Sequence, residues 1–294
     1  MFYRQKVLLA LLEEFGGSLK STDFQKYLFL YTTICEKEKS YEFIPFKFGC
    51  FSFQSYADKN KLIESGILMD ADDWTIRERA FSFRKQLKNG AEKKLKLFKQ
   101  KFEHLKGKEL IRYVYEKYPY YAIKSVIAHE VLDENGLARI RNQVESQEDK
   151  LFATIGYEGI SLEAYINKLI KNNIKLLIDV RKNPISRKYG FSKKTLKDVL
   201  FKVGIDYYHL PELGIVTEKR QSLKTIQDYE RLFDDYEKYT LNKSEKELLS
   251  LCEFYNKKKR IALTCFEESH TMCHRGRIAV RMKTIDEDIK ISHL

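Results

Sequence analysis

The sequence predicts an α/β domain, a mostly parallel sheet covered by helices, preceded by a mainly α, winged-helix-like domain. From residue 151 onward, short apolar runs alternate with amphipathic helical segments, which is the pattern of a helix-covered parallel sheet. Before residue 86, three short helical segments precede a strand-like stretch at 74–83, and these are the parts of a winged helix. We therefore predict a winged-helix-like module at 1–85, a basic helical extension and connector at 86–150, and the α/β domain at 151–294.

The composition is that of a globular chain with a strong positive charge. Its 294 residues are 43% hydrophobic and carry a net charge of +12, which argues against wholesale disorder and favours an acidic partner, nucleic acid or a nucleotide first. The alternative is that the lysines are simply solvated. No apolar run approaches the ~20 residues that a membrane helix needs, and the first fifteen residues lack a secretory cleavage site. We expect a cytoplasmic protein without a membrane partner, and its oligomeric state stays open.

The N-terminal part contains three helical segments and an aromatic loop. Helical spacing is seen at 2–15, from Thr22 to about Cys35, and at 55–65. The aromatic loop lies at 41–53. The loop resembles the Panacea (antitoxin SocA-like) family, in which a phrase like Phe46 to Ser52 precedes a helix that Ser-Gly-Ile-Leu closes. Cys50 stands where that family usually has proline. The resemblance covers about 1–125 and implies a module for macromolecular contact rather than catalysis.

Residues 84–124 form the most basic stretch of the chain. They include thirteen Lys or Arg against four Glu, a net charge of +9. Leu95, Phe98, Phe102 and Leu105 recur at helical spacing, so one stripe should pack while the rest stays in water. The functional hypothesis is a phosphate-contacting helix, and a solvated helix face is the alternative. The candidate nucleic-acid contacts are Lys93, Lys94, Lys96 and Lys101.

The α/β domain follows the acidic segment 145–149, the predicted junction. Strands are expected at 151–156, 175–181, 205–210, 261–265 and 289–294, and helices at 162–172, 192–203, within 222–258 and at 276–282. Open α/β sheets bind ligands at the carboxyl edge of their strands. The polar residues that follow these strands are therefore the candidate site.

Several phrases of this domain resemble the family catalogued as domain of unknown function 488. The order and spacing match along 151–294, and the resemblance implies an α/β sheet with polar residues gathered at one edge, without supplying a reaction. The chain has Gly-Tyr-Glu-Gly where many relatives have Gly-His-Ser, so the role of that histidine is not available here. The matching residues are Thr154 to Gly159, Asp179 to Arg181 with Pro184 and Ser186, Gly204 to Tyr207 with His209 to Gly214, Cys265 to Glu267, and Cys273 to Arg275.

At two strand ends, a carboxylate lies two residues away from a second polar side chain. Asp179 and Arg181 point the same way, and such a pair suits a polar ligand or forms a structural ion pair. Glu267 shares a face with Cys265, where a carboxylate can act as a general base or nucleophile.

Cys273, His274 and Arg275 stand at a predicted helix start. The helix dipole and Arg275 should lower the thiol pKa, which predicts a nucleophilic or redox role for Cys273. The spacing to the next arginine fits neither a phosphatase loop nor a rhodanese-like loop. Metal binding by Cys265, Cys273, His274 and His209 is a further alternative, but no Cys-x-x-Cys pair supports a closed zinc site, so no metal site is predicted.

These observations favour a nucleic-acid- or nucleotide-directed enzyme, a hydrolase or transferase, that needs no cofactor the sequence can identify. One alternative is a non-catalytic DNA-binding regulator or a redox or nucleotide sensor. Another is a protein-interaction adaptor in toxin–antitoxin systems or phage defence. The catalytic candidates are Asp179, Cys265, Glu267, Cys273 and His274, and the substrate-binding candidates are Tyr157, Glu158, Arg181, Ser186, His209 and Arg275.

Overall fold

The structure, a computed structural model, describes residues 1–77, 82–88, 90–143, 149–216 and 225–294. It divides into two compact units, Met1–Glu145 and Ser146–Leu294. The boundaries proposed from the sequence stay a prediction, and of the acidic junction at 145–149 only Asp149 belongs to the described residues. Among the described residues, no helix is both long and apolar enough to cross a membrane.

The first unit is mainly helical, which confirms the fold class expected for it. Its longer helices are α1 (Tyr3–Glu14), α2 (Ser21–Ile34), α3 (Phe53–Glu64), α4 (Ala91–Phe102) and α5 (Gly107–Lys117). The short helices α6 (Ala128–Val131) and α7 (Glu134–Arg141) follow. Ser52 begins α3 by accepting a hydrogen bond from the Ser55 amide, the usual way of satisfying an unpaired N–H at a helix start.

Two small antiparallel pairs complete this unit. Strand β1 (Ser18–Leu19) pairs with β4 (Trp74–Thr75), and β2 (Ile44–Phe46) pairs with β3 (Gly49–Phe51) inside the aromatic loop. Three helices and a short ribbon are therefore present, whereas the winged-helix arrangement itself stays a prediction. Part of its expected second arm, 78–81, lies outside the described residues.

The basic stretch forms two helices rather than one continuous helical segment. Helix α4 ends at Phe102 and α5 begins at Gly107. Leu95, Phe98 and Phe102 are buried in the core of the first unit, and Leu105 packs against that core. The predicted apolar stripe is confirmed, and burial of this stripe is what turns the lysines of α4 outward.

The second unit is the predicted α/β fold. A five-stranded parallel sheet has the order β7-β6-β8-β5-β9. Its strands are β5 (Leu151–Gly156), β6 (Leu176–Asp179), β7 (Asp206–His209), β8 (Arg260–Cys265) and β9 (Ile291–His293). The helices are α8 (Leu162–Lys171), α9 (Lys193–Lys202), α10 (Ile226–Tyr239), α11 (Glu245–Lys258) and α12 (His274–Ile285).

Burial explains why the central strands read as continuous apolar runs. Every residue of β6 and β8 is buried, whereas β7 at the sheet edge alternates between exposed and half-buried positions. Strands of a parallel sheet are covered on both faces, so alternation is lost in the centre.

The strand register brings the polar residues at the strand ends together at the carboxyl edge of the sheet. Gly156 at the end of β5 lies level with Cys265 at the end of β8. Asp179 at the end of β6 lies level with Thr264 on one side and His209 on the other. Because the strands are parallel, the segments after all four of them leave the sheet on the same side.

Candidate functional site

A cleft of about 350 Å³ opens at this carboxyl edge of the sheet. Cys265 and His274 belong to its lining, together with three cationic side chains, those of Arg181, Lys182 and Arg187. Among its described lining residues there is no carboxylate. The cleft therefore suits an anionic ligand.

Asp179 and Arg181 form a buried ion pair beside the cleft. The Arg181 side chain donates to both carboxylate oxygens of Asp179, from Nε at 2.8 Å and from Nη2 at 2.5 Å. The backbone N–H of Arg181 and the hydroxyl of Tyr207 also donate to this carboxylate, at 3.1 and 2.7 Å. With four donors on its two oxygens and no exposed surface, Asp179 has the geometry of a positioning residue rather than of a proton acceptor for substrate.

Arg181 uses its remaining hydrogen-bond donors mostly on the protein. Its Nη1 donates to the hydroxyl of Tyr157 and to the carbonyl of Phe191, both at 2.8 Å. Burial opposes the charged form, but the bonds and charge of Asp179 outweigh it and raise the pKa of Arg181. A permanent cation results at the cleft wall, with its orientation set by protein groups.

The aromatic ring of Tyr157 packs against the guanidinium of Arg181. Its ring stacks on Phe191 with centroids 4.3 Å apart, and the guanidinium carbon of Arg181 lies 5.1 Å from its centroid. The Tyr157 side chain thus fixes the segment after β5 against the segment after β6. Tyr157 also lines the cleft, and its substrate-binding role stays a prediction.

His209 and Ser186 shape the loop after β6. The imidazole Nε2 of His209 donates to the carbonyl of Arg181 at 2.9 Å, and its Nδ1 lies 2.9 Å from Lys193 Nζ. The Ser186 hydroxyl accepts from the amide of Lys188 at 3.1 Å, and Ser186 lines the cleft. Within the described residues His209 is a loop support outside the lining, and Ser186 is placed for ligand contact.

The two cysteines and the histidine predicted as catalytic candidates lie together. Cys265 Sγ is 3.7 Å and Cys273 Sγ is 3.8 Å from His274 Nδ1. All three side chains are buried, being 2%, 1% and 1% exposed respectively. Their positions come from the end of β8 and the first turn of α12.

The pKa predicted for Cys273 from its place at a helix start is wrong. Burial, followed by the neighbouring Cys265 and Glu267, raises the pKa of the Cys273 thiol well above its usual value, and Arg275 opposes this only in part. A sequence reading counts the helix dipole and the adjacent arginine but cannot see that the thiol is removed from water.

Arg275 and Glu158 hold the loop that follows β8. The guanidinium of Arg275 donates to the carbonyl oxygens of Glu267 at 2.6 Å and Glu268 at 2.7 Å, while the carboxylate of Glu158 accepts from the Glu268 amide at 3.1 Å. Arg275 is 1% exposed. The geometry therefore favours a structural role for Arg275 over the anion-binding role that we expected.

The same loop requires glycine at position 156. A Cβ atom added there would lie 1.9 Å from the carbonyl oxygen of Glu267. The close approach lets the amides of Tyr157 and Glu158 donate to the carbonyl of Phe266, at 3.1 and 2.9 Å. Position 156 therefore requires glycine, because the backbone after β5 and the backbone after β8 approach too closely to leave room for a side chain.

Glu267 stands beside the cysteine pair. The Cys265 thiol donates to its carboxylate, with Sγ 3.3 Å from Oε2. Glu267 is half-buried, unlike Asp179, so it remains the carboxylate of the predicted set best placed for proton transfer.

Sequence reasoning missed three contributors to this site. Lys182 and Arg187 supply cations of the cleft, and Tyr207 holds the Asp179 carboxylate. The signal for the first two was their place in the loop directly after a predicted strand end. Tyr207 belongs to a phrase that carries the family resemblance, but its contact with Asp179 was not predictable, because only strand pairing brings β7 beside β6.

The candidate nucleic-acid contacts lie in the first unit. Lys93, Lys94, Lys96 and Lys101 are exposed on α4. Lys94 donates to the Cys35 carbonyl at 2.9 Å, and Lys96 lies 3.5 Å from Glu92. These contacts are solvent-exposed and weak, so the lysines can still meet phosphates.

Comparison with known proteins supports the family resemblance for the second unit. A family model described as "Domain of unknown function DUF488" matches residues 161–282. The match begins at the residue that caps α8 and ends inside α12, so it includes the Asp179, Cys265 and Cys273 phrases. The Panacea likeness of 1–125 stays a prediction.

No curated protein and no solved structure matches the chain. The family model is therefore the comparison that bears on this site, and its description names no reaction. Residues 161–282 of the second unit are thus similar to the family described as Domain of unknown function DUF488.

Proposed function

We propose that the second unit is a hydrolase or transferase acting on a phosphate-bearing group of a nucleic acid or nucleotide. The observation that carries the proposal is the cleft at the sheet edge, which three cations, a thiol and an imidazole line together and where no described lining residue is acidic. Phosphate groups are the common biological anions that such a wall recognises.

The roles divide between exposed and buried groups. Lys182 and Arg187 are exposed and can turn toward an anion, whereas Arg181 is held in place by Asp179 and Tyr157. A preoriented cation stabilises developing negative charge without reorganising, which is the largest contribution in many enzymes. The two exposed cations then bind substrate, and Arg181 orients its reacting group.

The reactive group lies at the cleft lining. Cys265 Sγ is 3.7 Å from the His274 imidazole and 3.3 Å from the Glu267 carboxylate. A thiol between a base and a carboxylate can act as a nucleophile. A thiol and an imidazole together can also bind a metal cation. Glu267 is placed to exchange a proton with substrate or water.

The nucleic-acid partner rests on a second observation in the first unit. Lys93, Lys96 and Lys101 are exposed on α4, whose opposite face is buried. This surface supports a phosphate-contacting helix, and by itself it favours the second candidate, a non-catalytic DNA-binding regulator. We propose that either function is carried out in the cytoplasm, where the thiols of the five cysteines would stay reduced.

The test combines binding with product analysis. The purified chain is incubated with labelled single-stranded DNA, the same sequence as RNA, duplex DNA and ADP, and each probe is then examined by mass spectrometry. Lys182→Ala/Arg187→Ala should weaken binding at least ~10-fold, because two phosphate contacts are lost. The matched control is Lys194→Ala/Lys197→Ala, which removes the same charge from exposed positions of α9.

Product formation separates the two candidate functions. An altered probe that disappears with Glu267→Ala, while binding persists, supports the enzyme. Binding without any altered probe favours the regulator. Equal loss of binding in the cleft and control variants, or no binding at low salt, contradicts the proposed cleft function.

A further inference from the structure

Three side chains of types that can bind a metal lie together in the second unit, and two of them line its cleft. The ligand atoms of Cys265, Cys273 and His274 all lie within 4.8 Å of one another. They come from the end of β8 and the start of α12, so regular elements rather than the middle of a loop position them. The set therefore does not depend on a loop closing around an ion.

The spacing of these atoms matches tetrahedral coordination. Zinc binds sulfur at about 2.3 Å and imidazole nitrogen at about 2.0 Å, which places sulfur and nitrogen ligands about 3.5 Å apart around a tetrahedral ion. The two distances from sulfur to His274 Nδ1 are 3.7 and 3.8 Å. Shifts of a few tenths of an ångström would bring both sulfur–nitrogen distances to that value.

The far side of the imidazole is also arranged as in metal sites. His274 Nε2 lies 3.0 Å from the carbonyl oxygen of Val180, which only accepts, so Nε2 carries the proton. In the neutral ring this leaves the lone pair of Nδ1 directed at the two sulfur atoms. A histidine that binds a metal usually donates its other N–H to such a carbonyl.

We propose that Cys265, Cys273 and His274 bind one zinc ion, with the fourth coordination position directed toward the cleft. Two sulfur ligands and one imidazole suit zinc better than magnesium or calcium, which prefer oxygen. Cys265 and His274 line the cleft whereas Cys273 does not, so the open position lies on the cleft side. Three protein ligands with one open position is the arrangement of catalytic rather than structural zinc.

Binding balances in protons and charge. Zn²⁺ enters, two S–H bonds break, two Zn–S bonds and one Zn–N bond form, and two protons leave to solvent. The site carries no net charge afterwards, as a buried location requires. The Glu267 carboxylate, 3.3 Å from Cys265 Sγ, lies beside one of the proposed ligands, and the charge balance does not require it as a ligand.

The site itself does not rest on the proposed function, but it deepens it. If the cleft binds phosphate esters, a zinc ion at its base supplies the Lewis acid or the activated water of a hydrolase. Cys265 would then act as a ligand instead of a nucleophile. Metal content and anion binding are measured separately, so either proposal can fail alone.

The experiment is metal analysis of the full chain, purified under reducing conditions, loaded with zinc and freed of excess ion. We expect about one zinc per chain, and native mass spectrometry should show the mass of one zinc less two protons. Cys273→Ser should lower the zinc content at least ~10-fold. Cys252→Ser, which changes a thiol on α11 outside the cluster, should leave it unchanged.

Cobalt gives a readout that does not depend on the folding of a variant. Loading the unsubstituted chain with Co²⁺ should produce sulfur-to-cobalt charge-transfer absorption and the intense visible bands of a tetrahedral site. Zinc should displace the cobalt and abolish both. Absence of bound metal in the reduced chain overturns the proposal, as does a Cys273→Ser chain that folds and keeps the cobalt spectrum.

Discussion

The carboxylate of Asp179 and the guanidinium of Arg181 are joined by two parallel hydrogen bonds of 2.8 and 2.5 Å at the end of strand β6. Both groups are buried, at 0% and 6% exposure. A bidentate pair of this kind is the strongest form of the arginine–carboxylate contact. It sets the direction in which the chain leaves β6, and therefore the wall of the cleft.

Asp179→Ala should destabilise the second unit by roughly 3–5 kcal/mol, because it leaves the buried Arg181 cation without its counterion. Urea unfolding of the full chain measures the change. Asp198→Ala, on the exposed face of α9, is the control and should change stability by no more than about 0.5 kcal/mol. A stable Asp179→Ala chain that has lost only turnover would restore the catalytic role predicted from sequence.

Gly156→Ala should cost at least about 3 kcal/mol, the upper end of the range for overpacking, since its Cβ would lie 1.9 Å from a backbone oxygen. Gly159→Ala is the comparison. Nothing lies within 4 Å of a Cβ at Gly159, although its φ is +74°, so the cost there should be only about 1–2 kcal/mol. Similar unfolding midpoints for the two variants would contradict the backbone contact.

The His293 ring should make stability fall as pH drops below about 6.5, the ordinary pKa of histidine. Partial burial, followed by His270, whose ring stacks at 3.4 Å, and Arg275, lowers the pKa of His293. Between this lowered pKa and 6.5 the unfolded state binds more protons, so the free energy of unfolding decreases with falling pH and levels off below the lowered value.

Urea unfolding between about pH 5 and pH 8 tests this prediction. His293→Asn keeps a polar group near the Thr154 hydroxyl, which lies 2.8 Å from His293 Nδ1, and should flatten this part of the pH profile. His129→Asn, at an exposed position of the first unit, should leave the profile unchanged. A His293→Asn profile that coincides with that of the unsubstituted chain would refute the assignment.

Lys93→Ala/Lys96→Ala should reduce the salt dependence of duplex DNA binding if α4 contacts phosphates. Each lost contact lowers the slope of log K against log salt by about 0.9, so the double variant should lose up to about 1.8. Fluorescence anisotropy over several salt concentrations measures the slope. Lys37→Ala/Lys39→Ala, which removes two exposed lysines outside α4, should keep it, and equal slopes for both variants would exclude the helix as the contact.

The local patterns predicted the layout of the site well. The apolar runs predict strand ends at Gly156 and Cys265, and the structure has the strands ending there, whereas the strand predicted to reach Arg181 ends at Asp179. Such patterns report which residues face the core and where a strand stops, because both follow from the period of the backbone. The α/β fold class and the apolar stripe of α4 were accessible for the same reason.

The sequence by itself determined the two fold classes, the carboxyl edge and the residue types gathered there. Only the tertiary structure decided which donor bonds to which acceptor. Arg181 and Arg275 donate to protein oxygens, and Lys182 and Arg187 join Arg181 in the lining of the cleft. Cys273 is buried beside Cys265 and His274. These outcomes depend on distances between elements far apart in the chain and on removal from water. Neither quantity is contained in the local period of a sequence.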